Sequence, residues 1–223
     1  VLFIRHHGVP EPRKKESALT DIKQCVSYVV NSPIVGGLML LAIFLFMFGN
    51  SISILLPAFN TDVLAGGPDD LGLLMAAMGA GAILGSLTLA KLGNMRRKGR
   101  WLLFTEALWG FTLIGFALTT TFTQAVVAIS AIGFVSAVNM SLNRSLVQLQ
   151  VEQHMRGRVM SLDMMAHGAM PLGMLPIGYI SEVVSVEAGL AASGALLFLC
   201  TIIVMIMIPK IRTINIGFVT PAT

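Results

Sequence analysis

The sequence predicts an all-α membrane protein with six transmembrane helices. Three observations carry that prediction. First, 55% of its 223 residues are hydrophobic and only 12% are charged, whereas soluble domains carry about 25% charged residues. Second, the apolar residues gather into six runs, at residues 34–56, 71–92, 101–120, 124–146, 159–180 and 189–208. Each is near the roughly 20 residues that a helix needs to cross a bilayer core. Third, all fifteen Lys and Arg residues fall at the two ends of the chain or around alternate junctions between those runs. None of the runs alternates like a ten-residue barrel strand, and a helix satisfies its own backbone groups where water is absent.

Residues 1–33 form a cytoplasmic linker in this reading. "VLFI" at the start resembles the end of an earlier apolar helix, so a longer protein is expected. "VPEPRKKES" is polar and proline-bearing. Leu19, Ile22, Val26 and Val29 then recur at three- and four-residue spacing, as on a short amphipathic helix at a membrane surface. "NSP" at residues 31–33 is a helix start, with Ser32 as cap and Pro33 in the first turn.

The six runs make up the bundle, residues 34–208, and residues 209–223 are a tail. Arg5, Arg13, Lys14, Lys15 and Lys23 precede the first run. Lys91, Arg96, Arg97, Lys98 and Arg100 separate the second from the third. Arg144, Arg156 and Arg158 flank the fourth-to-fifth junction, and Lys210 and Arg212 follow the sixth. The remaining loops hold Asp62, Asp69, Asp70, Glu182 and Glu187. Positive charge stays on the cytoplasmic side, which puts both ends of the segment and the basic loops there. The sequence pI near 9.4 is thus a sign of topology and not of nucleic-acid binding. Cys25 and Cys200 form no disulfide framework.

Within the runs, Ala77, Gly81 and Gly85 make a small-residue stripe for close helix approach. Gly168, Pro171, Gly173, Pro176 and Gly178 weaken the fifth run and permit bending.

Two longer strings, "LPAFNTDVLAGGPDDLGLLMAAMGAGAILGS" and "RGRVMSLDMMAHGAMPLGMLPIGYI", resemble the major facilitator superfamily. The likeness spans nearly all of residues 16–208. It is to the carboxy-terminal half of a twelve-span transporter, in the efflux branch of enterobactin-exporter-like and macrolide-efflux-like proteins. The chain departs from the family's loop motif, Gly-x-x-x-Asp-Arg-x-Gly-Arg-Arg. With Gly85 at its start, Leu89 stands where Asp belongs. A basic cytoplasmic loop remains, at Arg96, Arg97, Lys98 and Arg100, with loop positioning as its expected role.

The resemblance implies two inverted three-helix repeats, an amino-terminal six-helix partner half, and proton-coupled export of a small, partly apolar molecule. It implies a multi-pass protein of the bacterial inner membrane, with the lipid bilayer and a small-molecule substrate as partners and no nucleic acid. The alternative is a non-transporting or self-associating six-span membrane protein. By the family's arrangement, Asn50, Ser53, Met75, Met78, Asn139, His167 and Met170 are substrate-cavity candidates. Polar groups at membrane depth are costly, and methionine makes an adaptable wall. His167 is the proton-coupling candidate, with a hydrogen-bonded structural role as its alternative. Asn50 and Asn139 either bind substrate or bridge helices. Glu106, Arg144 and Asp163 are expected to form a charge cluster near the cytoplasmic ends, as a permanent clamp or as a latch.

No cofactor or metal is expected. Nothing points to an enzyme: "ASGA" around Ser193 follows His167, the reverse of the order in intramembrane serine proteases, and no HExxH, paired intramembrane Asp or P-loop motif occurs.

Overall fold

Proline, glycine and charge decide where these helices begin, end and break. The computed structural model describes residues 18–92, 97–153 and 155–214, with helices and no strand among them. The linker readings before residue 18, Arg96 and the tail beyond residue 214 lie outside the described residues.

The first helix is α1 (Ala18–Asn31); of the predicted apolar face, Val29 packs inward and Val26 does not, while the side chains of Leu19 and Ile22 lie outside the described residues. Cys25 is buried, Tyr28 and Val29 pack beside it, and Val26 is exposed. Ser32 occupies the cap position before α2 (Pro33–Phe44), with Pro33 in the first turn, yet its side chain makes no cap hydrogen bond.

The first predicted run continues through a π-helical turn at Leu45–Gly49 into α3 (Ser51–Asp62). Asn60 staples the turn that follows: its Nδ2 donates to Gly67 O at 3.0 Å, and its carbonyl accepts from Gly66 N at 2.8 Å. The next helices are α4 (Pro68–Leu92), α5 (Lys98–Ala117) and α6 (Phe122–Gln150). Thr121 caps α6 by accepting from Gln124 N. The fifth run is split into α7 (Arg156–Ala166), a 3-10 turn at His167–Ala169, and α8 (Met170–Val183). Finally α9 (Val186–Met207), capped by Ser185, leads into a 3-10 turn at Pro209–Thr213.

Among the described residues, four helical stretches are long and apolar enough to cross a membrane: Pro33–Asp62, Pro68–Lys91, Phe122–Gln150 and Val186–Met207. The helix of the third run, α5, carries Arg100 and Glu106, and the fifth run is interrupted, which separates both from those four.

Two buried clusters hold the bundle. One joins Phe48, Ile52 and Phe59 to Trp109, Phe116, Ile129 and Leu190. The other joins Cys25, Leu38 and Leu41 to Leu102, Leu142, Val159 and Ile211. The small-residue stripe on α4 packs against α6. A Cβ on Gly81 would collide with the Ser130 carbonyl, and one on Gly85 with the Phe134 carbonyl. Backbone therefore meets backbone there, a contact that only missing side chains allow.

Candidate functional site in the interrupted helices

The π turn between α2 and α3 lies against the second broken helix. Gly173, in the first turns of α8, sits against the Met47 backbone, where a Cβ would strike the Met47 carbonyl. The ring of Phe46 meets that of His167 with centroids 3.6 Å apart. Both breaks thus fall side by side. Pi turns and mid-helix 3-10 turns are places where the regular hydrogen-bond ladder is interrupted, and both recur at functional hinges.

The amino acids explain each break. Gly168, Pro171 and Gly173 follow one another where α7 ends, and proline cannot donate to the ladder. At the first break no proline lies within the π turn, although Pro57 sits inside α3. The ladder is recaptured by side chains instead. Ser51 Oγ lies 2.8 Å from Phe48 O and 2.7 Å from Ser193 Oγ, tying the break to α9.

A groove of about 670 Å³ runs beside these breaks. Its wall is formed by Ile54 of α3 and by Met170, Pro171, Met174, Leu175, Gly178, Tyr179 and Glu182 of α8. The wall is apolar and adaptable, with a phenol and a carboxyl towards one end. Such a surface suits a flexible, mostly apolar molecule carrying a few polar groups.

The predicted site residues divide into four groups. Met170 lines the groove, and Ser53 is exposed next to Ile54. Asn50 is half-buried where the π turn ends, and His167 is exposed at the 3-10 turn, with Nδ1 3.3 Å from Asp163 O. Met75 is exposed on α4 and Met78 packs against the first cluster, both apart from the groove lining. Asn139 is drawn inward: its Nδ2 donates to Leu102 O at 3.2 Å and Thr105 Oγ1 at 3.1 Å. It bridges α6 to α5, the second of its two expected roles.

The expected charge trio is also divided. Arg144 is exposed, while Asp163 is buried and within the electrostatic reach of Arg144 and His167. Glu106 is wholly buried, and neither carboxylate oxygen has a hydrogen-bond partner. Among the described residues no ion pair joins the three. Similar depth along the axis placed them together in sequence, but the helical phase of Glu106 turns it towards α6 and α9. Of the basic loop, Arg97 begins α5 in a left-handed conformation, φ 66°, and Arg97 and Arg100 are exposed.

Sequence reasoning missed Ile54, Tyr179 and Glu182. The signal was present: residues 171, 174, 175, 178, 179 and 182 recur at three- and four-residue spacing, one face of a helix. That stripe mixes Pro, Gly, Met, Leu, Tyr and Glu, so no single residue type marks it. The π turn carried no composition signal.

Comparison with known proteins places this arrangement. The chain matches the family described as transmembrane secretion effector over residues 1–217. It is 28% identical over 207 residues to the enterobactin exporter EntS of Shigella boydii serotype 18, covering 91% of this chain and 49% of that protein. The same identity and coverage hold for the enterobactin exporter EntS of Escherichia coli O139:H28. The chain spans about half the length of the curated relatives it matches. No solved structure matches. The apolar helices and the match over nearly the whole chain together identify a multi-pass membrane protein that belongs to the transmembrane secretion effector family of the major facilitator superfamily, in its enterobactin-exporter-like branch.

Proposed function

We propose that this chain forms one half of a proton-driven exporter in the bacterial inner membrane, carrying a small, partly apolar molecule such as a siderophore or drug. In this reading α2 with α3, α4, α5, α6, α7 with α8, and α9 are the six spans, arranged as two inverted three-helix repeats. Both ends of the segment and the basic loop at Arg96, Arg97, Lys98 and Arg100 face the cytoplasm. An amino-terminal six-helix half supplies the opposite wall of the pathway.

The observation that carries this reading is the pair of adjacent helix breaks beside an apolar groove. Transporters of this kind often build their binding sites from interrupted helices, because unwound backbone offers unpaired polar groups and a hinge. Here Met170 and Met174 supply a deformable contact surface, and Tyr179 and Glu182 add polar groups. His167, exposed at the second break, is the proton-coupling candidate on that face. The named relatives are enterobactin exporters, which favours outward movement of a siderophore-sized molecule.

The test is flux in proteoliposomes holding the full-length protein under an imposed pH gradient. Siderophore or dye accumulation that follows the gradient and collapses with an uncoupler is expected. A folded protein that moves none of these probes, or that associates into a sealed bundle without a partner half, contradicts the reading.

A further inference from the structure

The groove leaves the wholly buried carboxyl of Glu106 without a role. Glu106 sits on α5, its side chain enclosed by protein, with Oε1 and Oε2 both lacking a hydrogen-bond partner. From α6, the side chain of Asn139 comes within reach of it. Both Nδ2 protons of Asn139 are already engaged, by the Leu102 carbonyl and by Thr105 Oγ1. The Leu102 carbonyl can only accept, which fixes the amide with nitrogen on that side. Thr105 Oγ1 is anchored in turn, at 2.9 Å from Trp101 O and 3.0 Å from Leu102 O. What Asn139 has left is Oδ1, also buried and without a partner.

An ionised Glu106 would therefore bring acceptor oxygens to another acceptor, in a place enclosed by protein. Among the described residues, the neighbouring elements offer no countercharge. From α9 the titratable neighbour is Cys200, which the charge of Glu106 reaches. On α6 the charged residue is Arg144, which is exposed and makes no ion pair with Glu106 among the described residues. The final 3-10 turn holds Lys210, which is exposed, and Arg212, whose Nη2 donates to Met205 O at 2.9 Å. Neither α2 nor the π turn has a titratable side chain, and Lys98 and Arg100 lie at the start of α5. Trp109, on the same helix, presents Nε1–H with no acceptor.

We propose that Glu106 is an interior proton-binding site, holding one proton on its carboxyl and donating it as a hydrogen bond to Asn139 Oδ1. One proton then satisfies two buried acceptors and braces α5 to α6. Release sends the proton to water and leaves a carboxylate, which needs the α5–α6–α9 contact to loosen enough to hydrate it. The use of this site in transport rests on the proton-driven reading above. The protonation itself does not.

The test is infrared spectroscopy of the full-length protein in lipid vesicles at neutral pH, reading the carbonyl stretch of un-ionised carboxyl groups. A protonated band is expected that shifts when glutamate is supplied with carbon-13, with no substitution needed. It should vanish in Glu106→Gln, persist in Asp163→Asn, and move to higher frequency in Asn139→Leu, which removes the acceptor. Glu106→Gln should melt like the parent, because its amide N–H can still donate to Asn139 Oδ1. Absence of a glutamate-derived protonated band, or its survival in Glu106→Gln, overturns the proposal. Under a pH gradient, Glu106→Gln should cut accumulation at least tenfold and spare substrate exchange without a gradient. Because the deciding signal is vibrational, a protein that transports nothing counts against the exporter reading and not against the proton site.

Discussion

At the scale of single residues, close backbone contact sets the tolerances. Gly81 allows α4 to touch the Ser130 carbonyl, so Gly81→Val forces the two helices apart. Overpacking of that kind costs about 1–3 kcal/mol, and a detergent melt should show it as a lowered midpoint. Gly79, also on α4, has open space beside it, and Gly79→Ala should not lower the midpoint. Ser51 and Ser193 are both buried and 2.7 Å apart, and each also lies near a backbone carbonyl of its own segment. Ser193→Ala should cost about 1 kcal/mol. Cys25 gives a pH-dependent probe outside the spans. Burial pushes its thiol up, partly offset by the Arg158 guanidinium. A raised value means less thiolate at any given pH, so maleimide labelling should rise at higher pH than for an exposed cysteine. Arg158→Ala should move that curve higher still, and a curve moved lower would contradict the assignment.

At the scale of elements, the two interrupted helices separate what a sequence reveals from what it hides. The break at His167–Ala169 was legible because Gly168, Pro171 and Gly173 are chemically committed to weakening a helix. The π turn at Leu45–Gly49 was not legible, since "LFMFG" is apolar and its widened ladder is settled by packing against Gly173 and by Ser51. The small stripe on α4 was legible for the same reason as the proline break: one missing atom type permits one contact. Glu106 was placed by depth alone, and Asn139 by depth and the family's arrangement of helices. Depth is linear in sequence, whereas the direction a side chain faces depends on which helices end up adjacent. The α8 break gives a prediction of its own. Gly168 has open space around it, so Gly168→Ala alters backbone preference by about 1 kcal/mol without a clash. It should slow the transport cycle severalfold in proteoliposomes without lowering the melting midpoint. A mutant with unchanged flux would mean that this turn does not flex during transport.

At the scale of the whole molecule, charge distribution and pathway are separate claims with separate measurements. Alternate basic gaps predict that single cysteines at Lys98 and Arg156 label only from the cytoplasm, and those at Asp69 and Glu187 only from the other side. The pathway claim is the central one, because it alone distinguishes an exporter wall from a surface that merely faces lipid. Both kinds of surface are apolar here: Ile83 and Leu87 are exposed on α4, and Leu175 and Tyr179 are exposed on α8. The difference lies in what covers them. The most direct measurement is labelling of single cysteines by a hydrophilic maleimide in membrane vesicles containing the full-length protein. Cysteines replacing Ile54, Met174 and Tyr179 should label, and added substrate should protect them, while cysteines replacing Ile83 and Leu87 stay unlabelled. Equal labelling of both sets, or no labelling beside the interrupted helices, would contradict the account.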